Sequence, residues 1–272
     1  MKLSVSQYKQ YERCPYSWYL SRVEKAWQRP AAWLPQGSAV HEAGEAWERS
    51  GRTMTLEEMQ QVYTESYDNH VNTYCDVTPN LEWWFWSGPY NGEADINRRY
   101  DLGLQQCGRM LDWYGKHQDE VVWIAPDGTP GIELGFDIDL DGIEIRGFID
   151  LVTAIYEPGS MKRPPEDRDL QDIIVRDNKT GNKPGDDFQL GVYAVALSEQ
   201  YPDYVFERGD YWMGRTGKPT KPYDLTDWTR ETVRDKFVEL QDNINAGNFP
   251  PDPEPSKCRF CDVSYSCQYS QA

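Results

Sequence analysis

Residues 173–181 read IIVRDNKTG, a run of apolar β-branched residues that ends in charged and polar ones. Such a run predicts a buried β-strand, because β-branched side chains pack well on a pleated surface. Successive side chains of a strand point to opposite faces, so Asp177 and Lys179 share one face. Asn178 points the other way and leaves its carbonyl oxygen beside them. The segment therefore places an acid, a base and a backbone oxygen in one small space.

A further carboxylate interrupts an apolar strand that comes earlier in the chain. Asp150 lies inside GFIDLV, residues 147–152. A buried charge is costly unless another group compensates it, and a metal ion does so well. Each carboxylate also has a simpler interpretation: Asp177 pairs with Lys179 or Arg176 at the surface, and Asp150 lies at a solvated strand end. The combination of these residues in one order along the chain favours a shared site.

The periodicity of the chain changes near its middle. The first half predicts long helices, including one over residues 39–49 capped by Ser38 and one that begins after Thr55. Short β-branched runs follow, and Asp141-Gly142 between two of them is a strong hairpin signal. We predict an α/β fold with a central mixed β-sheet flanked by helices. The single predicted domain, 1–272, has a helical part over 1–119, the sheet and a following helix over 120–215, and a C-terminal helix and cysteine tail over 229–272.

The charge of the chain is strongly acidic. Its 28 Lys and Arg residues against 45 Asp and Glu residues give a net charge of -17. Taken alone, this argues against a nucleic-acid partner, which usually requires a basic surface. Binding is local, however, and a divalent-metal site needs clustered carboxylates of its own. No stretch approaches the roughly 18 apolar residues of a membrane span, so we expect no membrane partner and a reducing cytoplasm.

The order of these residues resembles the PD-(D/E)XK nuclease superfamily, and specifically its RecB-like branch. The motifs are GSAVHEAGEAW with His41, GFID with Asp150, DNKTG with Asp177 and Lys179, and QLGVY with Gln189 and Tyr193. The opening SVSQYKQYERCPYSWYL also resembles the first segment of that branch. The resemblance spans residues 4–267 and implies a restriction-endonuclease-like core. A zinc-protease H-E-x-x-H motif is absent, because its second histidine position holds Glu45.

The resemblance implies a metal-dependent site for DNA hydrolysis. Mg²⁺ or Mn²⁺ would be held by His41, Asp150, Asp177 and the backbone carbonyl of Asn178, an oxygen-rich set that suits a hard cation. Lys179 would position water and stabilise the developing negative charge. Gln189 and Tyr193 would contact DNA. Glu133, in a strand neighbouring that of Asp150, is either a further ligand or an outward-facing strand residue.

Four of the six cysteines match a second feature of the branch. Its iron-sulfur members carry one early cysteine and a late C-x2-C-x5-C motif, matched here by Cys14, Cys258, Cys261 and Cys267. The resemblance implies a 4Fe-4S cluster that joins the N- and C-terminal segments. A structural zinc ion held by the same thiolates is the alternative. The other two cysteines fall in predicted helices, as small core residues.

The predicted function is a metal-dependent DNA exonuclease that acts on DNA ends or single strands. No P-loop is present, so the chain resembles free-standing CRISPR-associated and phage-encoded exonucleases, in the cytoplasm of a prokaryotic or phage-infected cell. Its partners would be DNA and proteins of recombination or CRISPR adaptation. Trp83, Trp84 and Trp86 either stack single-stranded bases or form a hydrophobic lid. The alternative function is a non-catalytic, cluster-stapled protein that binds DNA ends or a partner.

Overall fold

Helices come first in the chain, and the strands follow. The computed structural model describes all 272 residues, with helices α1 (Val5–Arg13), α2 (Pro15–Arg22), α3 (Trp33–Arg49), α4 (Leu56–Val77), α5 (Gly92–Lys116), α6 (Asp187–Gln200), α7 (Arg230–Asn245) and α8 (Pro255–Cys258). The strands are β1 (Glu120–Val122), β2 (Ile132–Asp139), β3 (Glu144–Tyr156), β4 (Leu170–Lys179), β5 (Arg208–Met213), β6 (Lys218–Pro219) and β7 (Tyr223–Asp224). The predicted α/β class is confirmed.

The sheet is mixed and is organised around β3 and β4. Strands β1 and β2 both pair with β3, and β3 pairs with β4, all antiparallel. Strand β5 pairs with β4 in parallel, as expected when a helix, here α6, connects two strands. The short strands β6 and β7 complete the sheet against β5. The predicted mixed sheet flanked by helices is therefore confirmed.

Two apolar clusters cover the sheet. The larger one joins residues of β2 to β5 to α6 and α7. The smaller one joins α3, α4 and α5 to Ile132, Leu151 and Trp212 of the sheet. Helix α1 packs against the larger cluster, where the centre of the Tyr8 ring lies 4.5 Å from that of Phe188. The candidate site forms where the sheet meets both helical layers.

Local signals in the sequence explain some of the element ends. Thr55 forms a reciprocal capping box with Glu58 at the start of α4, as its sequence predicts. Asp141 and Gly142 both have positive φ and close a two-residue hairpin between β2 and β3, which confirms the predicted turn. The cap predicted at Ser38 is wrong, because α3 begins at Trp33 and already includes that residue. No helix combines the length and the apolar composition needed to cross a membrane.

Candidate functional site

Two carboxylates meet between neighbouring strands. Glu133 of β2 and Asp150 of β3 lie between the paired positions Ile132–Leu151 and Leu134–Ile149. The backbone of Glu133 has φ +44, an unusual value for a residue other than glycine. Burial and the charge of Asp150 raise the pKa of Glu133 to about 7. The strand pair thus brings two acids together at a cost that a cation would relieve.

A histidine from α3 completes a group of three potential ligands. His41 lies with its Nδ1 atom 3.3 Å from Oδ2 of Asp150 and its Nε2 atom 2.9 Å from the carbonyl oxygen of Asn178. The ligand atoms of His41, Glu133 and Asp150 all lie within 4.8 Å of one another. The backbone amide of Asn178 donates to Asp150 over 2.8 Å and fixes that carboxylate. An open groove of about 570 Å³ reaches His41 and Glu133 from outside.

The acid and base of β4 lie side by side. Asp177 is buried, with 3% of its surface exposed, and Lys179 Nζ lies 2.5 Å from its Oδ2 atom. Burial and the charge of Asp150 raise the pKa of Asp177 to about 6, although Lys179 acts in the opposite direction. The burial of Asp177 excludes the simpler interpretation of a surface ion pair. Lys179 remains about one third exposed, so its ammonium can reach a substrate.

The two residues of the QLGVY motif face inward. Gln189 donates from Nε2 to Oδ1 of Asp177 over 2.5 Å and to the Tyr193 hydroxyl over 2.8 Å. Tyr193 is 6% exposed, and burial raises its pKa. Both side chains therefore support Asp177 in the structure. Their contact with DNA stays a prediction.

The opposite face of β4 carries a buried ionic network that the sequence analysis did not predict. Arg176 is 1% exposed and donates two hydrogen bonds to Asp210 over 2.6 and 2.7 Å. It also donates to Glu120 and, over 2.9 Å, to the hydroxyl of Tyr114. The pairing of Asp177 with Arg176 that the sequence left open is therefore wrong, because Arg176 bonds to Asp210 and Glu120 instead. No local signal in the sequence identified these partners. The network anchors the strand that carries the site.

The four cysteines of the predicted cluster line one cavity of about 400 Å³. They are Cys14, Cys258, Cys261 and Cys267. None forms a disulfide. Burial raises the pKa of Cys261 to about 11 and also raises that of Cys267, so bare thiolates are disfavoured there unless a cation compensates them. No three of the sulfur atoms lie mutually within 4.8 Å. The structure shows that the four cysteines share a cavity. The cluster itself stays a prediction.

The tryptophan-rich segment is divided between core and surface. Trp84 is 1% exposed, whereas Trp83 and Trp86 are each more than half exposed. The ring of Trp83 packs against Trp27 and against Tyr265 of the C-terminal tail, at 5.9 and 6.1 Å. The segment therefore combines both interpretations that the sequence left open: one buried ring and two rings available at the surface.

Comparison with known proteins places these observations in a family. A model of the PD-(D/E)XK nuclease superfamily matches residues 2–268. The "Gene 69 protein" of Mycobacterium phage D29 is 51% identical over 271 residues, covering 97% of this chain and 95% of that protein. The "Gene 69 protein" of Mycobacterium phage L5 is 48% identical over 290 residues, with the same coverage of both.

A solved structure from Eubacterium rectale, described as that of a candidate exonuclease, is also similar. It shares 12% identity over 98% of this chain and 88% of its own, with a TM-score of 0.42. At that score the likeness is too weak to support an argument about fold or activity.

Proposed function

The chain belongs to the PD-(D/E)XK nuclease superfamily, and on that premise we propose that it is a metal-dependent DNA exonuclease acting on ends or single strands. The observation that carries the proposal is the convergence of His41, Glu133 and Asp150 on one point, next to Asp177 and Lys179. These residues come from α3, β2, β3 and β4. Their proximity is difficult to explain by stability, because it gathers charges that burial disfavours.

The residues of the site fit a divalent cation. Three carboxylates, one imidazole and the carbonyl oxygen of Asn178 form an oxygen-rich set, which suits Mg²⁺ or Mn²⁺. Glu133 and Asp177 have raised pKa values because their charges are buried close to that of Asp150. A cation would offset this repulsion. When bound, it would lower the pKa of a water molecule and withdraw charge from the scissile phosphate.

The remaining side chains of the site would orient the Asp177 carboxylate and the attacking water, and would stabilise the negative charge that develops. Lys179 lies beside Asp177 and is exposed enough to approach a phosphate, so it would hold the attacking water and stabilise the negative charge that develops. Gln189 donates to Asp177 and fixes the direction of that carboxylate. The Tyr193 hydroxyl accepts a hydrogen bond from Gln189 and is buried behind it. The exposed edge of the groove would receive the DNA backbone.

The surface next to the cysteine tail supports a single-stranded substrate. Trp83 and Tyr265 expose aromatic faces, and the guanidinium of Arg29 lies 5.1 Å from the centre of the Tyr265 ring. Unpaired bases stack on aromatic rings without regard to sequence, and arginine contributes cation–π contacts. A negative total charge does not prevent such local binding. Because the related proteins are encoded by mycobacteriophages, we place the activity in an infected cell. We propose that it serves recombination, DNA processing or spacer acquisition.

We further propose that the cysteine cavity holds a 4Fe-4S cluster. Its four cysteines come from the two ends of the chain, and their thiols share one space. A structural zinc ion held by the same four thiolates is the alternative. The cluster would join α1 and α2 to the tail within one nuclease domain of 272 residues. Iron content per chain distinguishes the cluster from zinc.

Digestion of end-labelled DNA tests the function. Wild-type protein should shorten 5′- or 3′-labelled DNA in Mn²⁺ or Mg²⁺ and not in a chelator. Asp150→Ala should weaken metal binding, whereas Lys179→Ala should keep the metal ligands and lose about a hundredfold or more in rate. Both should bind DNA within a few fold, because backbone contacts elsewhere dominate affinity. Lys162→Ala, in the exposed loop between β3 and β4, is the matched control and should cleave normally.

A defined negative result would overturn the assignment. If cluster-replete wild-type protein binds DNA but leaves every substrate uncut in both metals, the chain is a non-catalytic binding protein. If Asp150→Ala cleaves as well as the control, cleavage occurs at another site.

A further inference from the structure

A lysine of α1 contacts two residues at the start of α6, next to the candidate active site. The Nζ atom of Lys9 is 3.3 Å from Oε1 of Gln189 and 3.1 Å from a carboxylate oxygen of Asp186. Asp186 is the residue that precedes α6, and Gln189 lies in the first turn of that helix. Gln189 in turn donates to Asp177. A continuous path of polar contacts therefore joins α1 to a candidate metal ligand.

The chemistry of Lys9 and Asp177 admits one orientation of the amide between them. An ammonium group only donates hydrogen bonds, and an ionised carboxylate only accepts them. Gln189 satisfies both when its oxygen faces Lys9 and its NH₂ group faces Asp177, as in the structure. The opposite orientation would place an NH₂ group against the ammonium and an oxygen against the carboxylate.

We propose that Lys9 is a positioning residue that acts on Asp177 through the Gln189 amide. It holds the amide oxygen, and the NH₂ group of the amide then fixes the Asp177 carboxylate in the direction that the cation requires. The inference rests on the proposed function, since it assigns Asp177 to a metal site. Groups that orient metal ligands in this way typically contribute tenfold to a hundredfold in metal affinity or activity.

The position of α1 does not depend on this lysine. Ser4 caps the helix by accepting a hydrogen bond from the Gln7 amide. The Tyr8 ring packs 4.5 Å from Phe188 and 5.6 Å from Phe237. The pair of Lys9 with Asp186 is half open to solvent, and such pairs contribute about 0–1 kcal/mol to stability. Removal of the ammonium should therefore disturb the amide and leave the helix in place.

Three variants test the proposal. Lys9→Met keeps the aliphatic stem and removes the donor, Lys9→Arg restores a donor, and Lys2→Met removes a comparable lysine–aspartate pair, with Asp137, that contacts no site residue. We would measure Mn²⁺ affinity by calorimetric titration, kcat and KM on labelled single-stranded DNA, and melting temperature. Lys9→Met should lose about tenfold or more in Mn²⁺ affinity and in kcat, with KM within about twofold. Lys9→Arg should recover most of both, and Lys2→Met should match the wild type.

Three outcomes would overturn the proposal. Unchanged Mn²⁺ affinity in Lys9→Met means that Lys9 does not position the Gln189 amide. A rise in KM alone means that Lys9 contacts a DNA phosphate. A melting temperature that falls well below that of Lys2→Met, with no rescue by arginine, means that Lys9 only stabilises the fold. If wild-type protein cuts no DNA but Lys9→Met still weakens Mn²⁺ binding, the proposed function fails and the role of Lys9 stands.

Discussion

Replacing Glu133 by glutamine should make the metal-free protein more stable and the metal-bound protein less stable. The side chain keeps its size and its place between β2 and β3, and it loses only its charge. In the structure this carboxylate lies with His41 and Asp150 in the group of potential ligands. Burial and the charge of Asp150 raise its pKa from 4.5 to about 7. The folded, metal-free state therefore holds the charged form at a cost.

The size and pH range of the effect follow from that pKa. Each pKa unit corresponds to about 1.4 kcal/mol, so the rise sets an upper limit of about 3.5 kcal/mol on the cost. Water screens part of the charge, which leaves about 1–3 kcal/mol. An acid with a raised pKa in the folded state costs nothing while both states are protonated, below about pH 4.5. The cost then grows as the pH rises and is complete above about pH 7.

Melting temperatures of wild type and Glu133→Gln in a chelator and in saturating Mn²⁺ measure this effect. At pH 8 in the chelator the variant should melt a few degrees higher, because about 2–4 °C accompany each kcal/mol in a chain of this size. The difference should vanish near pH 4.5. Saturating Mn²⁺ should stabilise the wild type more, because the glutamine is an uncharged ligand. Glu144→Gln, on the exposed edge of β3, serves as the control.

Either of two results would refute this reasoning. If the metal-free variant is less stable than the wild type at pH 8, the Glu133 carboxylate stabilises the fold, and its charge carries no cost that a cation would offset. If Mn²⁺ raises the melting temperatures of both proteins equally, Glu133 does not bind the metal.

Further predictions concern the buried arginine, the cysteine cavity and the packing of α6. Arg176→Met should lower the free energy of unfolding by about 3–5 kcal/mol, because its carboxylate partners stay buried without a counter-charge; a loss below about 1 kcal/mol in urea would contradict this. Cys14→Ser should lose iron and melt earlier, whereas Cys75→Ser, outside the cavity, should keep its iron; full iron in the first variant would exclude the cavity as the cluster site. Gly191→Ala should destabilise by about 1–3 kcal/mol, since a Cβ atom would lie 2.2 Å from the Trp228 ring, and unchanged thermal stability would show that the ring moves freely.

The period of two along β4 was enough to predict that Asp177 and Lys179 point to the same side, although Arg176 was kept open as a partner of Asp177. Asp177 and Lys179 share one face, and Arg176 occupies the other, as alternation requires. The start of α3 was mispredicted, because the sequence was interpreted as a cap at Ser38, whereas the helix begins at Trp33 and holds Pro35 in its first turn. Proline is tolerated in the first turn of a helix, where its missing amide would have no partner within the helix.

Alternation fails at the residues that form the candidate site, which is why Glu133 could not be placed from the sequence. Ile132 and Leu134 lie two positions apart in β2, yet they pack in the two different clusters on opposite sides of the sheet. The strand therefore turns over at Glu133, where φ is positive. A periodic pattern cannot signal such a reversal, because the apolar residues on both sides look alike. The partners of Arg176 were equally unpredictable, since they come from distant parts of the chain.

The attachment of α1 to residues that follow α7 has a consequence for when the site can form during synthesis. Tyr11 of α1 donates to the carbonyl oxygen of Asn248, and its ring lies 6.3 Å from that of Phe249. Helix α1 leaves the ribosome before the whole sheet, whereas these partners leave only after α7. The contact of Lys9 with Gln189 should therefore become stable only after Asn248 has emerged and can hold Tyr11. We therefore expect a chain that stops before Asn248 to lack this attachment of α1 and with it a fully ordered site.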